Sequence, residues 1–212
     1  MMFPRCGKTC ILLAVGICLA GCIVMFFSLN SSKANSVYNP AENMINSAME
    51  IKVQYLIEAM DGAPGHMPLS EKSYVPLGNS RVILIDDRTG EIVNTGLTNS
   101  GGNWKANITV SRDPRFTDNA IGTVTVIAVA EGYNEAIHFN IPVSEQASGH
   151  SVLLQPVNLK LRNEPHFEYG RFHRLRVFEM LDHYANMLKL EKQKIPQLGE
   201  EAPWSPARKP HK

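Results

Sequence analysis

From about residue 52 onward, apolar and polar positions alternate with period two or gather in short apolar runs, and Gly, Asp, Asn and Pro separate the runs. Such patterning predicts strands rather than helices. Seven stretches fit: 53–59 (VQYLIEA), 81–85 (RVILI), 91–97 (EIVNTGL), 104–110 (WKANITV), 123–130 (TVTVIAVA), 135–143 (EAIHFNIPV) and 152–161 (VLLQPVNLKL). Pro156 in the last predicts an edge position or a bulge. Turn clusters lie between them, at 86–90, 98–103, 113–119 and 131–134. With no helical period among the strands, the pattern predicts a mainly β fold, a seven-stranded antiparallel β-sandwich over 51–161. Val82, Ile83, Leu84, Ile85, Val124, Val126, Ala128, Val129, Ile137, Phe139, Ile141, Leu153 and Leu154 would fill much of its core. The Pro- and Gly-rich stretch 60–80 reads as a surface insertion or a functional loop.

The flanks are patterned differently. Residues 10–29 (CILLAVGICLAGCIVMFFSL) carry no charge. As a helix of ~1.5 Å per residue they would match a bilayer core of about 30 Å, which predicts a transmembrane anchor. Arg5 and Lys8 precede it without an acidic residue, so 1–9 is expected in the cytoplasm and the bulk of a single-pass chain outside it. A second reading competes. Leu19-Ala20-Gly21-Cys22 resembles a bacterial lipobox, in which Cys22 would be lipidated and become the new N-terminus. The apolar Ile-Val-Met-Phe-Phe after Cys22 favours the uncleaved span, and a cleaved signal peptide is the third reading. Residues 30–50 read as a polar linker and then a short helix, with Asn39 as N-cap, Pro40 in the first turn and Met44, Ile45, Ala48 and Met49 as its apolar stripe.

At the other end, 171–193 has helical period. Val177, Phe178, Met180, Leu181, Tyr184, Ala185, Met187 and Leu188 share one side, and Arg176, Glu179, Asp182, His183, Asn186 and Lys189 the other. This amphipathic helix would cover an exposed sheet of its own domain, bind a partner protein or lie on a membrane surface. The tail 194–212, broken by Pro203, Pro206 and Pro210, reads as disordered, with Trp204 as a docking point. The residues picked for partner contact are Tyr184, Leu188 and Trp204, together with the 60–80 insertion.

Within 82–104 (VILIDDRTGEIVNTGLTNSGGNW), 123–136 (TVTVIAVAEGYNEA) and 152–159 (VLLQPVNL), the order of Thr89-Gly90, Thr98, Gly102, Trp104, Gly132 and Tyr133 resembles the carboxypeptidase regulatory-like domain, a transthyretin-like (prealbumin-like) sandwich. The resemblance covers about half of the chain, 51–161, and departs from the family at the 60–80 insertion. It implies an accessory module, because in peptidases bearing such a domain catalysis belongs to another domain.

Composition sharpens the picture. The chain has 212 residues, 21 Lys+Arg against 20 Asp+Glu, and a formal net charge of +1, without the basic excess of a nucleic-acid binder. All four cysteines, Cys6, Cys10, Cys18 and Cys22, precede the folded part, which therefore has no disulfide, thiolate metal site or cysteine nucleophile. A cysteine-free exported domain suits a bacterial envelope. The chain has no GxSxG, P-loop, HExxH or GxGxxG, and Thr98 and Ser100 lack a paired His and Asp. Glu179 and His183 stand one helical turn apart, and with His173 they form the candidate metal set, His166 joining only if the connector folds back; a solvated ion-pair ladder with Arg176 competes. Asp86, Asp87 and Glu91 surround a turn but lack the spacing of a calcium loop.

The expectation is thus a membrane-tethered, non-enzymatic binding or scaffolding module, without catalytic residues or cofactor, bound to the membrane through 10–29 and to another envelope protein. A small envelope hydrolase or metal-binding protein using the helix histidines is the alternative, and a carrier of a small hydrophobic ligand a third.

Overall fold

The computed structural model describes residues 43–59, 71–158, 160, 163–168, 170–194 and 202–210. The expected anchor at 10–29, Cys22, the linker 30–39, Asn39 and Pro40, and residues 60–70 of the insertion lie outside them. Among the described residues, no helix is long and apolar enough to cross a membrane.

The run RVILID at Arg81–Asp86 is buried at every position. A strand shows its side chains alternately to two faces, so such a run needs cover on both. The chain is mainly β and supplies that cover with two five-stranded sheets and a terminal helix. Its strands are β1 (Met44–Ala59), β2 (Glu71–Pro76), β3 (Arg81–Asp86), β4 (Ile92–Leu97), β5 (Asn103–Ser111), β6 (Ile121–Val129), β7 (Tyr133–Asn134), β8 (Ala136–Ser144), β9 (Ser148–Pro156) and β10 (His166–Glu168). Helix α1 (Arg174–Met187), β11 (Leu190–Lys192) and β12 (Trp204–Arg208) follow. The first sheet has the order β2-β1-β9-β7, with β5 also on β1, and the second the order β10-β8-β6-β3-β4.

Long β1 serves two neighbours on one edge. Met44–Lys52 pairs with β5 and Gln54–Ala59 with β2. At the junction, Val53 N–H donates to Gly102 O and Val53 O accepts from Leu77 N–H. The sheets are mixed rather than antiparallel throughout: β1 and β9 run parallel, as do β8 and β10. The count also exceeds seven, because β2, β7, β10, β11 and β12 come from segments expected to be loop, turn, connector, helix end and tail.

The two sheets share one apolar layer, with Ile45, Met49, Ile51, Val53, Ile108, Val152 and Leu154 from the first and Val82, Leu84, Val124, Val126, Ala128, Ile141 and Val143 from the second. The other face of the second sheet presents Ile83, Ile85, Ile127, Val129, Ile137 and Phe139. Val177, Leu181, Tyr184, Ala185, Leu190 and Trp204 cover it. The β8 phase switches at Asn140, a positive-φ residue (φ 55), where three β8 positions span two on β6. Ile137 and Phe139 therefore face the helix, while Ile141 and Val143 face the other sheet.

Three expectations are corrected. Of the helix expected around 40–51, residues 44–51 are instead the start of β1, with Ile45, Ser47, Met49, Ile51 and Val53 inward at period two. The helix expected over 171–193 is shorter: His173 is its N-cap, Met187 its last residue, and Lys189 (φ 55) turns the chain into β11. The tail is ordered at Trp204–Arg208, where β12 pairs antiparallel with β11. Pro206 is tolerated because β12 is an edge strand.

Candidate functional site

Helix α1 sits on its own sheet, so the residues picked for partner contact are engaged inside the chain. Tyr184 is 7% exposed, and its hydroxyl donates to Gly90 O at 2.8 Å, tying the helix to the β3–β4 turn. Leu188 packs against the same layer. Trp204 is 5% exposed; its indole N–H donates to Asp182 Oδ1 at 2.8 Å, and Lys192 Nζ lies 4.1 Å from the ring centroid. The physical reason is the uncovered apolar face of β3, β6 and β8, which takes up these side chains.

One buried side chain holds the tail in place. Gln193 Nε2 donates to Ala130 O, Tyr133 O and Trp204 O, and its Oε1 accepts from Gly132 N–H. The Gly132–Tyr133 turn is thereby fastened to the tail. Arg81 Nε donates to Pro206 O at 2.8 Å, and Ser205 Oγ to Glu131 Oε2 at 2.7 Å.

The helix metal set is not brought together. His173 caps the helix and accepts from Leu175 N–H, while Glu179 and His183 lie on the exposed face. Ten residues separate the two histidines in sequence, ~15 Å along a helix axis, too far for one ion. The acidic turn is structural. Asp86 Oδ1 accepts from Arg88 N–H and Thr89 N–H, and Oδ2 from Ser111 N–H at 2.7 Å, so the carboxylate clamps the turn to the end of β5. Thr98 and Gly102 likewise hold turns, whereas Trp104 is a β5 residue in the apolar core. Thr98 Oγ1 donates to Leu77 O and accepts from Ser80 N–H.

A different group collects at the sandwich edge formed by β8, β9 and β10. His138 on β8 is 3% exposed, and its Nδ1 lies 2.7 Å from Nε2 of His150 on β9, across the two sheets. Their rings meet edge to face at 5.0 Å. Register sets Glu168 of β10 opposite His138, and Glu168 Oε2 is 4.0 Å from His138 Nε2. His166 Nε2 lies 3.1 Å from Glu168 Oε1. Burial, with help from His150, pushes the His138 imidazole down to about 4; burial also lowers His150. The His166 hydrogen bond holds the Glu168 carboxyl below its usual range. At neutral pH this group is two neutral rings, one buried and one half-buried, beside a carboxylate. Among the described residues, no group of three His, Cys, Asp or Glu side chains could hold a metal ion.

The strand reading of 135–143 contains His138, but a two-layer sandwich gave no reason to bury it. In the sequence His166 is a candidate ligand only if the connector 163–170 folds back, and its period-two pairing with Glu168 gains meaning only from the β10 register. The outer face of the first sheet is polar. Asn46 accepts from Thr109 Oγ1, Glu50 pairs with Lys105 at 3.0 Å, and a shallow groove of about 430 Å³ runs by Ala48, Lys105, Asn107 and Gly149.

No protein-family model matches the chain, and no curated protein matches it.

Proposed function

We propose that the chain is a membrane-tethered display module of a bacterial envelope, which binds or scaffolds another envelope protein rather than carrying out a reaction. The observation that carries the reading is the uncharged run at 10–29, set before a polar linker and a cysteine-free β fold. The asymmetry of the sandwich supports a holding role. One face of the second sheet is closed by α1 and the tail, and the outer face of the first sheet, with Glu50, Lys105, Asn107 and Gly149, is left for a partner. The kinship we favour is with carboxypeptidase regulatory-like sandwiches. What supports it is the order of Thr89-Gly90, Thr98, Gly102, Trp104, Gly132 and Tyr133, each at or beside a turn between strands.

The test uses the cysteine-free fold. Ser151→Cys places a thiol on the exposed side of β9. In intact cells producing the full-length chain, a membrane-impermeant maleimide labels this variant above the wild-type background, and the chain stays with membranes after alkaline extraction. Labelling that appears only after lysis overturns the reading. Mass spectrometry of the mature N-terminus decides between the two tethers, since a diacylglyceryl Cys22 marks a lipoprotein and an intact leader marks the uncleaved span.

A further inference from the structure

Hydrogen bonds at its two ends fix which backbone groups of β5 look outward. Arg112 N–H donates to Asn43 O at one end, and Gly102 O accepts from Val53 N–H at the other. Bonded pairs alternate in an antiparallel ladder, so residues 104, 106, 108 and 110 bond β1, while 103, 105, 107, 109 and 111 turn their N–H and C=O to the opposite edge. The ends of that outward row are closed from within the chain. Asn103 N–H donates to Asn99 Oδ1, Asn103 O accepts from Asn99 N–H, and Ser111 N–H donates to Asp86 Oδ2. Lys105, Asn107 and Thr109 remain, and among the described residues no strand pairs with this edge.

Folded chains guard such edges with short strands, prolines, bulges or charges. The other edges here show these devices. Strand β10 has three residues, β2 ends at Pro76, β9 meets β7 at Pro156, β12 carries Pro206, and the β3–β4 pairing is broken by a bulge. In contrast, β5 pairs with β1 over nine residues without a shift and contains neither Pro nor Gly.

We infer that a second copy of the chain occupies this edge, the two β5 strands pairing antiparallel about a two-fold axis at Asn107. The register is self-complementary. Asn107 faces its counterpart and Lys105 faces Thr109 of the other copy, so each outward N–H meets an outward C=O in both directions. On the inner side Ala106 stands beside the other copy's Ile108, small against large. A foreign strand could supply the same backbone bonds; charge singles out a second copy. Glu91 and Thr109 line one shallow depression at this edge, and the register brings the other copy's Lys105 opposite Thr109, once on each side of the axis. The Lys105 side chain is 71% exposed and free to reach it. The contact is short, so it forms at high local concentration and opens on dilution, when β5 returns to pairing with β1 alone. It depends on neither the tether nor the outer-face partner proposed above.

The test is sedimentation of the full-length chain in density-matched detergent. Expected are a monomer at about 1 μM and a dimer by about 300 μM. Asn107→Pro removes an outward N–H and spares the bonds to β1, so the chain keeps its circular dichroism spectrum and stays monomeric. Glu91→Lys, at an exposed position, weakens dimerisation about 10-fold, whereas Glu145→Lys, exposed beyond β8 and away from this edge, leaves it unchanged. A covalent probe reads the register without relying on the proline variant. The central bonded pair sets its Cα atoms about 5.5 Å apart, within disulfide reach, so mild oxidation of Asn107→Cys yields a 107–107 link found by peptide mass spectrometry. Ser151→Cys on β9 yields no 151–151 link. A monomer throughout the range, a dimer that folded Asn107→Pro leaves intact, or absence of the 107–107 link overturns the proposal.

Discussion

The carboxyl of Glu135 is 2% exposed, packed where the sandwich meets the tail, and accepts from Trp204 N–H. Burial raises its pKa above the ordinary 4.5, against the backbone hydrogen bonds that favour the charged form. The folded chain therefore holds this proton to higher pH than the unfolded chain does. Stability from this group is full below 4.5 and is lost as pH rises through the folded-state value. Glu135→Gln keeps an acceptor for Trp204 and removes the titration. Its melting temperature should exceed that of wild type by a margin that grows as pH climbs from 4.5 and then levels off. A margin independent of pH would contradict the assignment. Glycine offers a second residue-scale test. Gly102 has φ 73, and a Cβ there would lie 2.4 Å from Val53 O, at the β1 junction. Gly102→Ala should cost about 1–3 kcal/mol by denaturant titration. Gly149→Ala, where a Cβ meets nothing within 4 Å, should stay within about 0.5 kcal/mol of wild type.

At the scale of elements, legibility followed the number of faces covered and the punctuation. RVILI and TVTVIAVA could be read because both faces of β3 and β6 are buried, which turns alternation into continuous apolar runs. The β3–β4 and β4–β5 turns could be read because Gly90 (φ 72) and Gly102 (φ 73) take the conformation that glycine favours. The start of β1 could not. Met44, Ile45, Ala48 and Met49 form a helical stripe, but only Ile45 and Met49 belong to the true inward set, and that set contains a polar Ser47 whose hydroxyl donates to Gln146 O. The tail failed for another reason. Its prolines signal disorder locally, but its hydrogen bonds come from Gln193, Glu135 and Arg81, far away in sequence or across the fold. The histidine edge was illegible because its members sit on three strands and gain meaning only from register. The tail's contribution is measurable. Trp204→Ala removes a large buried side chain from the layer over β3, β6 and β8. It should destabilise by about 3–5 kcal/mol and raise binding of a hydrophobic dye to the native state. A change within about 0.5 kcal/mol, typical of a surface site, would show that the tail is not part of the core.

For the whole molecule, the consequence is an uneven distribution of stability. The second sheet is closed on both faces, by the first sheet and by α1 with β11 and β12; the first sheet has a polar outer face. Amides of β3 and β6 should therefore exchange with deuterium only through global unfolding, while those of β5, paired only on its β1 edge, exchange through smaller openings. The tail belongs with the slow class, because Trp204 N–H is held by Glu135 and Lys209 N–H by Lys189 O at 2.7 Å. Deleting 202–212 from the full-length chain should speed exchange at Ile83, Ile127 and Val129, whose side chains lie in the layer covered by Trp204, and leave β5 nearly unchanged. Free exchange of 204–208 in the intact chain would place the tail outside the cooperative unit. The second sheet would then rely on α1 and β11 alone for cover, and the deletion would leave its exchange untouched.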